Sequence, residues 1–285
     1  MTTSRTSGTT GKRNNMNNEF IITAAAEYVD VAPENRIGAD IALSPEFAGI
    51  RIFDRPIFGF ASAMDPMFED LRRPEAVGDC FMPPNEWLDG AKSVISFFLP
   101  FTEEIKRSNA LDFSEPSALW LHGRIEGHAF LNNLTLFIAE KLRDTGFEAV
   151  VPSLDKRFKM FRNYNGLEFT SRWSERHVAY VCGLGTFGLS KGLITEKGIA
   201  GRFGSVITTA ALEPTGRKYT GIYEYCTMCG SCVHNCPVGA ICLETGKDHK
   251  KCSDFLDITV EKYRPRYGCG KCQVKVPCQN GIPKK

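Results

Sequence analysis

The sequence lacks any apolar run near the ~18 residues of a membrane span. The longest candidate, Val94 to Phe101, is far too short. Met1 to Asn18 lack the apolar stretch of a secretory signal, being Ser, Thr, Gly and Asn with three basic residues. The expectation is a cytoplasmic chain with no membrane partner. Cysteine is nearly missing from the first 225 residues, where only Cys80 and Cys182 occur. A c-type haem attachment run is also missing, because Val233 separates Cys232 from His234. What is present is ordinary globular composition, 42% hydrophobic and 24% charged, which excludes a fibrous or largely disordered chain. A length of 285 residues suits one large domain or two smaller ones.

Charge is unevenly spread. Residues 1–153 carry 14 basic and 22 acidic side chains, and residues 154–285 carry 21 and 11. A basic half can attract phosphates, an acidic partner or an anionic cofactor, or the two halves can attract each other.

Three segments follow from composition: a disordered arm over 1–18, a mixed helix and strand domain over 19–216, and a cysteine-rich module over 217–285. The fold class expected is α+β, with an α/β arrangement as the neighbouring possibility. Asp65-Pro66 before MFEDLRR reads as a helix start, with Asp65 as cap. KSVISFFL, residues 92–99, reads as a buried strand. Residues 117–145 carry an apolar stripe at helical spacing, closed by Gly146. FEAVVP at 147–152 and RFGSVITTAAL at 202–212 read as strands, and 174–182 as a short helix opened by Ser174 and closed by Gly183.

Nine of the 11 cysteines lie from Cys226 onward. In a chain with no export signal, such a cluster argues for metal rather than disulfides. CTMCGSCVHNCP places Cys226, Cys229, Cys232 and Cys236 at spacings of two, two and three residues, with Pro237 next. This is the bacterial run whose first three thiolates wrap one [4Fe–4S] cluster while the fourth ligates another. Cys252, Cys269, Cys272 and Cys278 complete the count. Assigning Cys236, Cys252, Cys269 and Cys272 to one cluster leaves Cys226, Cys229, Cys232 and Cys278 for the other. Zinc needs only four ligands and leaves four cysteines over. Cys242, Cys80 and Cys182 read as small buried hydrophobes.

Gly183-Leu-Gly185-Thr-Phe-Gly188 matches a dinucleotide fingerprint in letters only. That fingerprint needs a strand before it, a helix after it and an acid about 20 residues on, and none is expected here. The reading preferred is a flexible backbone path that closely approaches a large ligand.

LDGAKSVI (88–95), a long helix, ERHVAYVCGLGTFGLSKGLIT (175–195), RFGSVITT (202–209), KCSDFLDITVE (251–261) and the two cysteine sets come in an order that resembles the epoxyqueuosine reductases. The resemblance covers roughly 50–280 and extends to the reductive dehalogenases. It implies a nitroreductase-like, cobalamin-processing front domain before a two-cluster ferredoxin-like module. It also implies an oxidoreductase that passes electrons through two [4Fe–4S] clusters to cobalamin, with a low-potential ferredoxin or flavodoxin as donor. The substrate class it implies is a modified base, in that family carried by tRNA; a small molecule is the other class considered. Gly183, Gly185, Gly188 and Arg202 are the cobalamin-binding residues expected on this basis.

Several positions depart from the family pattern. Phe169-Thr170-Ser171-Arg172 carries no carboxylate where the family's proposed proton donor stands. Gly127-His128 replaces a Tyr-His pair, five residues separate Cys272 from Cys278, and the sequence stops soon after the clusters. His177, Glu175, His128 and Tyr164 are then the candidate proton donors, since a general acid works best with a pKa near the operating pH. Arg172, Arg176 and Arg202 are candidates for holding carboxylate or phosphate groups. Two other functions fit the cysteines: an electron-transfer protein, and a corrinoid-binding protein without turnover of its own.

Overall fold

The computed structural model describes residues 16–284. Residues 1–15 of the expected arm lie outside the described residues. The remainder of that arm is ordered: Asn17 caps helix α1 (Asn18–Val31), its side chain accepting from the Phe20 amide at 2.9 Å. Ile21, Ala25 and Val29 recur every four residues and bury one face of α1. Sequence reading had passed over this helix.

The central sheet contains β1 (Ile57–Ser62), β2 (Ser93–Pro100), β3 (Ala149–Val150) and a long strand, β8 (Gly201–Thr208). Its order is β1-β2-β8-β3 and every pairing is antiparallel, which settles the class as α+β. All eight residues of β2 are buried because both faces of the sheet are covered. Ile95, Phe97 and Leu99 pack beneath α1 and the 27-residue helix α5 (Ala118–Asp144). Val94, on the opposite face, packs with Trp173 and with Val178 and Val181 of α6 (Glu175–Val181). The strand expected at 147–152 shrinks to two residues, and the one expected at 202–212 ends at Thr208.

Short helices α2 (Met67–Asp70), α3 (Pro84–Trp87) and α4 (Glu103–Asn109) link these elements. Helix α2 begins one residue later than expected, with Pro66 as its N-cap, and Asp65 accepts from the Met67 amide at 3.0 Å from just outside it. A hairpin absent from the sequence reading, β4 (Met160–Tyr164) and β5 (Leu167–Ser171), is tied to the loop at 77–82 through Thr170 and Asn165. Asn165 and Gly166 turn it with φ of 48° and 82°, the left-handed pair that a two-residue hairpin loop requires.

The glycine-rich segment folds as a second hairpin, β6 (Gly185–Phe187) and β7 (Leu193–Thr195). The cysteine-rich segment follows, with α7 (Ser231–His234), the small hairpin β9 (Ile241–Cys242) and β10 (Gly246–Lys247), and α8 (His249–Tyr263). Lys271, almost fully buried, ties it to α4 by donating to the Asn109 carbonyl and side-chain oxygen at 2.9 Å each. No helix among the described residues is long and apolar enough to cross a membrane.

Candidate functional site

The cysteines gather around two neighbouring cavities. Cys226, Cys229, Cys232 and Cys278 line the first, together with Ile194 and Ile199. Cys236, Cys252, Cys269 and Cys272 line the second. The chain turns tightly to do this: Met228 and Gly230 both take positive φ, 51° and 76°, between the ligating positions of the first run. Cys278 reaches the first cavity because the Ile199 amide donates to its carbonyl at 3.0 Å, which fixes the tail against β7 and β8.

Burial above all raises the pKa of Cys232, Cys269, Cys272 and Cys278, whereas at Cys229 burial is outweighed by hydrogen bonding with Ser231 and Thr227, which lowers its pKa. Cys232 is pushed up to about 11, and Cys269 and Cys278 to about 12. Cys232 is repelled by Cys272 of the other set before its own partners, so the two cavities are close. Thiols packed this way ionise together only when a cationic centre balances them. Among the described residues no three His, Cys, Asp or Glu side chains converge on a single ion. Four thiols line each cavity, a donor set of the kind that holds an iron–sulfur cluster.

Cys242 lies in neither cavity. It is half-buried and donates to the Glu244 carboxylate at 2.6 Å, where sequence reading expected apolar packing. Cys80 is also half-buried, 3.3 Å from the Thr170 hydroxyl. Cys182 is fully buried, as expected.

Beside the cysteines lies a cleft of about 540 Å³ between the β4–β5 hairpin, α6 and α8. Arg176, His177, Lys191, Tyr223 and His249 face it. A recess of about 300 Å³ adjoins it and opens on Cys252, Cys269 and Cys272; Arg176 lines both. Arg176 is surrounded by protein atoms yet solvent reaches it, because it stands between these two openings.

The four candidate proton donors separate. His177 lines the cleft, its Nδ1 2.8 Å from the Ser174 hydroxyl and its ring against Phe187. Burial, reinforced by Arg176 and Lys191, pulls its pKa down to about 4, so it is neutral at pH 7. Glu175 points the other way. Its carboxylate oxygens are buried without a well-formed hydrogen bond, near Ser205 and Ser153, and burial pushes its pKa up to about 7. His128, on α5, has its pKa lowered by burial and by Arg202 and Arg124. Tyr164 packs on Phe161 at the hairpin tip and does not line the cleft.

At the expected glycines, the space a side chain would fill is taken by the chain itself. A Cβ on Gly185 would meet the Ile194 carbonyl at 1.9 Å, inside the β6–β7 pairing. Gly183 takes φ +88° against the Thr215 carbonyl, and Gly188 packs on Ile194. Their lack of bulk is used by the chain itself, and Gly188 to Ser190 wall the first cysteine cavity. Of the four expected cofactor residues, Arg202 lines the recess and Gly188 the first cysteine cavity. Sequence reading missed Lys191, His249 and Lys247, which carry no motif and are brought in by distant elements.

A 4Fe-4S binding domain matches residues 219–242. No curated protein matches the chain in sequence. Among solved structures, epoxyqueuosine reductase with a tRNA-Tyr epoxyqueuosine-modified stem loop is 20% identical, with a TM-score of 0.51, over 80% of this chain and 63% of that one. Epoxyqueuosine reductase from Streptococcus thermophilus is 17% identical, with a TM-score of 0.56, over 95% of this chain and 68% of that one. A catabolic reductive dehalogenase in complex with 3-bromo-4-hydroxybenzoic acid is 13% identical, with a TM-score of 0.50, over 80% and 30%. The chain thus spans about 63% of the length of the first epoxyqueuosine reductases it matches. At these identities the likeness is one of fold: the chain carries a 4Fe-4S binding domain and shares the fold of the epoxyqueuosine reductases and reductive dehalogenases.

Proposed function

We propose that the chain is an iron–sulfur oxidoreductase that delivers electrons through two [4Fe–4S] clusters to a corrinoid-dependent reduction in the cleft. The observation that carries this reading is the four-and-four division of eight cysteines around adjacent cavities, the second lying beside the recess and cleft. Cys226, Cys229, Cys232 and Cys278 would hold one cluster and Cys236, Cys252, Cys269 and Cys272 the other. Exposed Cys229 puts the first set at the surface, where a low-potential ferredoxin or flavodoxin would dock. In this reading residues 19–216 form a nitroreductase-like, cobalamin-processing domain and 217–285 a two-cluster ferredoxin-like one. The antiparallel sheet covered on both faces and the separate cysteine-rich segment support that division.

The donors facing the cleft suit a corrinoid rimmed by amide groups. Arg176, Lys191 and Tyr223 offer hydrogen bonds to such a rim. The bound group would supply a strongly reducing metal centre. The chain's own residues bind and orient the ligand, and their walls limit water. Neutral His177, fixed by Ser174, is placed to hold a proton at one ring nitrogen for the substrate. Glu175 has the better-matched pKa but its carboxylate faces the sheet, so a direct role in the cleft falls to His177. The substrate is a small molecule or a modified base. The relatives' structures with a tRNA stem loop and a halogenated benzoic acid span those two classes.

Titration of anaerobic, iron-loaded protein with cobalamin tests the proposal. Saturable conversion to a base-off spectrum is expected. No spectral change at millimolar concentrations, with both clusters present, would overturn the corrinoid step and leave an electron carrier.

A further inference from the structure

The recess beside the second cysteine cavity gathers four cationic side chains around three of that cavity's cysteines. Arg124 of α5, Arg176 of α6, Arg202 of β8 and Lys247 of β10 line it, and no carboxylate does. None of the four is ion-paired with an Asp or Glu among the described residues. Arg124 donates to the Tyr267 hydroxyl at 3.1 Å and lies over that ring. Arg176 spends one donor on the Lys191 carbonyl at 2.9 Å, and Arg202 one on the Arg124 carbonyl at 2.6 Å.

Arg202 is the decisive residue. Its Nε–H is buried with no partner. A guanidinium has five donors, and leaving a buried charged donor unmet is costly. Burial first, and then repulsion from Arg124, pull its pKa down to about 9, so it remains a cation at neutral pH. Its remaining side-chain donors line the recess rather than meeting an Asp or Glu.

We propose that this recess is an oxyanion site, built to take a phosphate or carboxylate group between Arg202, Arg124, Arg176 and Lys247. The arginines approach from α5, α6 and β8 and offer planar, bidentate donors, while Lys247 adds a point charge from the other wall. The about 300 Å³ of space admits one such group and leaves the adjoining cleft free for the rest of a larger ligand. The anion is either free or a substituent of whatever occupies that cleft. The proposal does not need the corrinoid reading to hold.

The test titrates iron-loaded protein with inorganic phosphate, followed by calorimetry against chloride of equal ionic strength. Saturable binding is expected. Arg202→Met and Arg124→Met should each weaken it at least about tenfold, with iron content unchanged. Two variants on separate elements, β8 and α5, keep the test decisive should one fail to fold. Competition against cobalamin and against cobinamide, which lacks the nucleotide phosphate, tells the source. Phosphate competing with cobalamin alone assigns the site to the cofactor's phosphate, and competing with neither assigns it to a separate anion. Absence of saturable phosphate binding, or equal binding by wild type and both variants, overturns the proposal. The corrinoid reading fails separately, by cobalamin titration.

Discussion

Glu175 folds with its carboxylate against the sheet, near Ser205 and Ser153, and burial raises its pKa from the ordinary 4.5 to about 7. Between those two pH values the unfolded chain has released the proton and the native chain keeps it. The native state then binds more protons, so stability falls as pH rises through this window and levels off above it. The loss is on the order of 3 kcal/mol for a shift of this size. Glu175→Gln removes the ionisable group, so its stability relative to wild type should rise between pH 4.5 and pH 7. Chemical denaturation of both proteins at pH 4.5 and pH 8 checks this; a pH-independent difference would mean the acid is not buried in its neutral form. Sequence could name Glu175 as a candidate acid, but its position at a helix start gave no sign of which way the side chain points. The same limit applies to Gly183, Gly185 and Gly188. A glycine records that something approaches the backbone, and not whether that neighbour is a ligand or, as with the Ile194 carbonyl, the chain itself.

At the scale of elements, the cysteine run was the most legible part of the chain. Cluster ligation fixes residue type and spacing locally, so Cys226 to Pro237 carries its meaning within 12 letters. Helix α5 was equally clear, since Ser117 accepts from the Trp120 amide and Gly146 takes φ +89° at the ends that the apolar stripe marked. The β6–β7 hairpin was not legible, because β6 is held from later in the chain: the Tyr225 amide donates to the Thr186 hydroxyl and the Phe187 amide to the Ile222 carbonyl. The crossing of Cys236 away from its three neighbours makes a direct prediction. Cys236→Ser should damage the cluster shared with Cys252, Cys269 and Cys272, and Cys229→Ser the other. Electron spin resonance of the two reduced variants would show different signals lost. Loss of the same signal from both would refute the division.

Across the whole molecule, the acidic first half and basic second half meet in specific pairs. Arg217 reaches Asp65 at 2.7 Å, Arg266 reaches Glu126 at 2.7 Å, and Lys262 and Tyr263 close on Glu115. Three of the 21 basic residues of the second half thus help seat the cysteine-rich segment on the body. Arg176, Arg202 and Lys247 are left out of these pairs and face the open recess instead. No sequence window shows that remainder, because its members come from α6, β8 and β10 and meet only in the folded chain. The central claim is that two cysteine sets each hold a four-iron cluster within this one fold. Anaerobic iron and acid-labile sulfide analysis tests it most directly: the account predicts about eight of each per chain, and about four of each, or stoichiometric zinc with little sulfide, would contradict it.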